Sequence, residues 1–296
     1  MGHDPRRTIG DHYGPAFTMC SSYTEVKMEY RPAGKLDNAL QQVAFLIELN
    51  EAFSQKELQD IHSKRSLWVE SLPRISVNRG FVFQSARPNL ELDDQTIVGL
   101  SYEYLKADGS IQSGLRIDGN RILYIIGEYS RWETIWPDVS SILNNIIEAV
   151  PEKKIVAYSS EYTDSFLAVG SYFDFDATCI LNKGSELISS HVFNRKLNWH
   201  SHTGFFEEIS EPARHRTLTR INIDLKDKID EQERELSIVL LLSMSGYMEP
   251  FATSSSVPKE VLERGLDENF FLLHQRARDL MKDLLVEDMQ RRISLL

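Results

Sequence analysis

The sharpest chemical pattern in the chain is His200-Ser201-His202. On a strand, residues two apart share a face, so both imidazoles could reach one metal ion, with His191 or His215 as a third ligand. No cysteine or carboxylate stands at matching spacing, and the plainer reading is a polar strand face in water. Tyr129, Trp132 and Glu133 form a second cluster, in which Glu133 could serve as an acid or base beside aromatic walls. The structural alternative accounts for each residue type: Glu133 is the capping partner of Ser130, and Trp132 is core. Glu91 with Asp93 and Asp94 reads better as a solvated turn before a strand than as a cation site, and Asp174 and Asp176 fall on one side of a strand or loop where nothing else supplies an octahedral oxygen set.

Arg195 and His200 also stand at the arginine–four–histidine spacing of some helical ribonucleases. That chemistry puts both residues on helices, whereas this segment alternates as a strand. Arg214, Arg216 and Arg220 make a local basic patch around His215. The formal net charge of −11 argues against bulk nucleic-acid binding, which needs a positive field. The sequence has no phosphate-cradling glycine loop, GxSxG, CxxC or HExxH, and it implies no cofactor.

The elements that must carry these residues follow from periodicity. Thr96–Val150 reads as three strands joined by Asp-Gly turns at Asp108-Gly109 and Asp118-Gly119, then an amphipathic helix. Leu100, Tyr102 and Tyr104, then Leu115 and Ile117, then Ile122, Tyr124 and Ile126 alternate on one face. The helix stripe is Trp132, Ile135, Trp136, Val139, Ile142, Leu143, Ile146, Ile147 and Val150. Pro137 suits only a first helical turn, so the helix is expected to start near Trp136 or to kink there.

Before this unit, Glu25–Tyr30 alternates weakly as a short edge strand and Leu40–Asn50 reads as a strand. A capping box at Ser54-Gln55-Lys56-Glu57 opens a helix to about Leu72, and Gly80–Ser85 reads as a strand. After Pro151 come strands at Lys154–Phe166, Val192–Phe206, Thr217–Leu225 and Glu235–Met244, and a long helix from about Pro258 to Arg292. His274 lies on or beside that helix's apolar stripe, where a buried, hydrogen-bonded histidine is the default.

The expected fold is α+β, with antiparallel meander sheets each covered on one face by long helices and the halves 25–150 and 151–296 loosely repeated after a mobile tail, 1–24. With 42% apolar and 26% charged residues, no long apolar run and only Cys20 and Cys179, the chain reads as soluble and cytoplasmic.

Several stretches together resemble an uncharacterised, sporadically distributed family of prokaryotic proteins of similar size. They are Leu40–Asn50 before a helix, Tyr129-Ser130-Arg131-Trp132-Glu133 at a helix start, the strand Tyr158–Phe166, and Leu273-His274 in the last helix. The resemblance implies an α+β fold and no particular reaction. The family's patchy distribution suits a phage-defence or toxin–antitoxin setting by analogy. The functional expectation is therefore a non-enzymatic interaction or regulatory protein with an aromatic face at Tyr102, Tyr104, Trp199 and Phe205. Its acidic surface favours a basic partner such as a toxin or nuclease. The alternative is a metal-assisted hydrolase or nuclease using His200, His202 and Arg195.

Overall fold

The computed structural model describes residues 28–34, 38–80, 96–127, 129, 131–170, 172–209, 215–229, 234–247 and 265–296. The expected tail, the strand over 81–85 and Asp93-Asp94 lie outside the described residues. The strands are β1 (Glu29–Pro32), β2 (Leu40–Leu49), β3 (Arg74–Arg79), β4 (Ile97–Leu105), β5 (Ile111–Asp118), β6 (Arg121–Ile126), β7 (Ile155–Val169), β8 (His200–Ile209), β9 (His215–Ile229) and β10 (Arg234–Tyr247). The helices are α1 (Gln55–Ser63), α2 (Trp132–Glu148), α3 (Leu266–Leu284) and α4 (Glu287–Arg292).

All the strand pairings are antiparallel, and the expected separate meanders are one continuous ten-stranded sheet. Its order is β3-β4-β5-β6-β2-β7-β10-β9-β8, with β1 paired to β7 beyond the end of β2. The physical reason is β2 and β7. Two long strands, each apolar on the same face, would otherwise leave unpaired edges beside a core, and pairing them satisfies both backbones. The register sets Val43 against Tyr162, Phe45 against Ser160 and Ile47 against Tyr158, so one buried face runs through both strands.

Both Asp-Gly turns form hairpins, and Gly119 takes φ 54°, the positive value that a two-residue turn requires. The β5–β6 turn is docked: Asn120 donates its side-chain amide to the Leu49 carbonyl, and Phe53 N–H bonds the Gly119 carbonyl. Gly246 on β10 is needed for a different reason, because a Cβ there would sit 2.4 Å from the Tyr158 ring.

α2 begins at Trp132 and carries Pro137 inside it, so Glu133 C=O has no backbone donor four residues on. Its N-cap is Arg131, with no side-chain cap bond. The capping box at Ser54 and Glu57 is present, but α1 stops at Ser63 and continues only as a 3-10 turn over Arg65–Leu67. The strand expected from Val192 starts instead at His200, after a 3-10 turn at Ser190–Phe193 and a positive φ at Asn198. The C-terminal helix breaks at Leu285, whose backbone bridges Leu181. None of the described helices is long and apolar enough to cross a membrane.

α2 and α3 meet over the middle of the sheet. Phe45 of β2 makes edge contacts with Trp132, Trp136 and Phe270, at 5.9, 5.3 and 5.5 Å between ring centroids. Asp267, in the first turn of α3, accepts Trp136 Nε1–H at 2.7 Å and Ser140 Oγ–H at 2.6 Å. Both donors are largely buried, so removing the acceptor leaves two unsatisfied groups. Asp267→Ala is expected to lower unfolding free energy by about 1–3 kcal/mol, while Asp267→Asn, which keeps one acceptor, costs less. Urea unfolding followed by tryptophan fluorescence measures both.

Candidate functional site

A cavity of about 1130 Å³ opens where β7, the start of β2, the N-terminus of α2 and one side of α3 come together. Strand alternation builds its floor. Tyr158, Ser160, Tyr162, Asp164, Phe166 and Ala168 all fall on the buried face of β7, so Asp164 points the same way as its apolar neighbours. Its strand partners are Leu40 on β2 and Leu240 on β10.

Asp164 is 6% exposed, lines the cavity and has no hydrogen bond or ion pair among the described residues. Burial alone lifts its carboxyl from the ordinary 3.8 to about 7. Tyr162 beside it is also buried, and desolvation pushes its phenol well above the ordinary range. Tyr129, which is partly buried, is pushed up by desolvation first and the Glu133 charge second.

The helical wall is aromatic. Trp132 stacks between Trp136, at 4.6 Å, and His274, at 4.3 Å. Desolvation, with a smaller push from Arg278, lowers the His274 imidazole to about 4, so the ring is neutral at pH 7. Its Nδ1 lies 3.4 Å from the Tyr162 hydroxyl, which can donate to it. At the rim stand the exposed Arg131, Glu133 and Arg278, with the partly buried Lys106. Arg278 donates to the Leu295 carbonyl, Lys106 to that of Gly127, and Asn38 to that of Tyr129.

The cavity thus collects Tyr129, Trp132, Glu133 and His274, residues that the sequence had singled out on two separate elements. Glu133 is an exposed first-turn residue of α2; Ser130, its expected capping partner, lies outside the described residues. Sequence reasoning missed Asp164. The signal was available: the segment already read as a strand places this acid in phase with Tyr158, Tyr162 and Phe166.

The other expected site residues lie elsewhere. His200 and His202 are exposed on the opposite face of β8, with ring centroids 5.2 Å apart. His191 Nε2 is within hydrogen-bond distance of the His200 carbonyl. Among the described residues no group of three or more His, Cys, Asp or Glu is placed to hold a metal. Arg195 is exposed in the irregular segment before β8, five residues from His200 but on a different element. Arg216 and Arg220 are exposed on β9, with the Arg216 guanidinium 4.1 Å over the Phe206 ring, while Arg214 lies outside the described residues.

The expected aromatic face does not form as a surface. Tyr102, turned toward the core by strand alternation, is fully buried and bonded to His62 Nδ1 at 2.9 Å, and Trp199, in the irregular segment just before β8, is 4% exposed. Phe205 is half-buried and packs on the core, which leaves Tyr104 as the exposed member of the four.

The Asp164 carboxyl makes stability depend on pH with a definite sign. Its folded value lies above its unfolded one, so the folded chain binds the proton more tightly. Stability from this group is greatest below about pH 4, falls through the interval up to about 7 and levels off above it. His274 opposes it, since a depressed imidazole loses stability as pH falls below its ordinary 6.5. Asp164→Asn is expected to match the wild type near pH 4 and to exceed it above pH 7, by up to about 4 kcal/mol. Chemical denaturation of both proteins across that range isolates the difference.

No family model, curated protein or solved structure matches this chain.

Proposed function

We propose that the protein is a non-enzymatic interaction or regulatory protein, and that the cavity is its recognition site. The observation that carries this reading is the Asp164 carboxyl: buried, aimed into a solvent-sized space, and unbonded among the described residues. A polar group left so is costly unless water or a bound group completes it. Aromatic walls with a few convergent polar groups are the usual composition of a binding cavity. The net charge of −11 favours a basic partner, and a partner in a defence or toxin–antitoxin setting fits that charge.

The site lies at the seam of the two halves, which we take as a loose repeat. In each half a long strand pairs with the last strand: β2 with β6, and β7 with β10, while β1 of the first half pairs with β7. The chain reaches that last strand by stepping inward from the sheet edge, through β4 and β5 on one side and β8 and β9 on the other, and a long helix follows it in the sequence. The alternative, a metal-assisted hydrolase or nuclease around His200, His202 and Arg195, is favoured by the side-by-side histidine rings.

Narrowing the cavity tests the recognition reading. Ala277→Trp fills it from α3, and Thr134→Trp obstructs it from an exposed position that folding tolerates. A partner that co-purifies with the wild-type chain from its native host should be reduced at least about tenfold in both variants. Equal recovery with folded variants would remove the cavity from the recognition surface and end the reading.

A further inference from the structure

We infer that the cavity takes a protonated amine carried on a short stem whose other end bears an anionic group. This rests on the recognition reading above and names its chemistry. The buried Asp164 carboxyl supplies acceptors and one negative charge with nothing in the described chain to use them. An ammonium group would satisfy both, making a charge-assisted hydrogen bond to a largely buried carboxyl. Tyr162 and Tyr129 line the same cavity, and aromatic ring faces attract cations, whereas those of Trp132 are covered by Trp136 and His274.

The rim has the opposite sign. Arg131, Arg278 and Lys106 outnumber Glu133 there, and none of the three is paired with Asp164. A simple amine would face that positive rim alone, whereas an anion at the far end of the stem would meet it. Among the described residues Arg278 is exposed and donates only to the Leu295 carbonyl, so guanidinium donors are left to receive a carboxylate. Free ω-amino acids have this chemistry, and so does a polypeptide ending in lysine, whose side-chain ammonium and terminal carboxylate stand a stem apart.

The groups facing Asp164 are Tyr129 and Tyr162, with His274, Glu133, Arg131, Arg278 and Lys106 further out in the same cavity. Taking up an ammonium requires the carboxyl to ionise, so binding should release a proton wherever Asp164 is protonated in the free protein. The affinity therefore strengthens as pH rises from 6 to 8.

Calorimetric titration of the full chain with 6-aminohexanoate, hexylamine and hexanoate tests the inference. 6-Aminohexanoate is expected to bind best, with its Kd weakened at least about tenfold by Asp164→Asn. Arg278→Ala should weaken 6-aminohexanoate several-fold and leave hexylamine no weaker. A peptide ending in free lysine, set against the same peptide amidated at its end and against free lysine, then tells a polypeptide terminus from a free amino acid. No heat with 6-aminohexanoate up to about 10 mM, or equal binding by a folded Asp164→Asn chain, overturns the inference. If that happens while a partner stays sensitive to Thr134→Trp, the recognition reading survives and only the amine chemistry fails.

Discussion

The antiparallel pairing of β2 with β7 is the constraint on which the rest of the structure depends. It joins two groups of strands, each of which would otherwise end in a long, half-apolar edge. Because register fixes which residues face the core, the pairing also decides the wall against which α2 and α3 pack. Phe45 sits in the middle of that wall and touches aromatic rings from both helices. A slip of one residue would turn Val43, Phe45 and Ile47 outward and leave the tryptophan stripe of α2 nothing to cover.

The same geometry explains why a cavity exists. Toward Phe45 the helices are close and tied through Asp267. Toward Asp164 the cover thins: the opposing residues are Ala277 and the first turn of α2, whose helical ladder is interrupted by Pro137. The sheet also changes there, because β1 and β2 share one edge of β7 with a break between them. Space is left over a strand face that alternation has already committed to pointing inward.

Most of the elements were legible because they obey one period each. The turns at Gly109 and Gly119, the stripe from Trp132 to Val150 and the capping box at Ser54 are local signals, and tertiary packing did not override them. The joining of both halves into one sheet was not legible, since strand partners at long separation leave no local trace. Tyr102 and Trp199 were misplaced for a related reason: an aromatic residue with polar neighbours, in a strand or just before one, gives no sign of which side is wet until the sheet's partners are known. His274 and Trp132 could each be assigned to helix stripes, but that their rings stack at 4.3 Å required both helices in place.

Asp164 shows how a local rule and a global one can conflict. By period it belongs to the core face of β7, and by chemistry it belongs in water. A sequence under selection for stability alone would place an apolar residue there, as it does two positions on at Phe166. Positions where a chain departs from its own pattern without a compensating bond nearby are where function is expected to have set the residue. The departure lies beside Tyr162, His274 and the start of α2, over the middle of the sheet and not at one of its free edges.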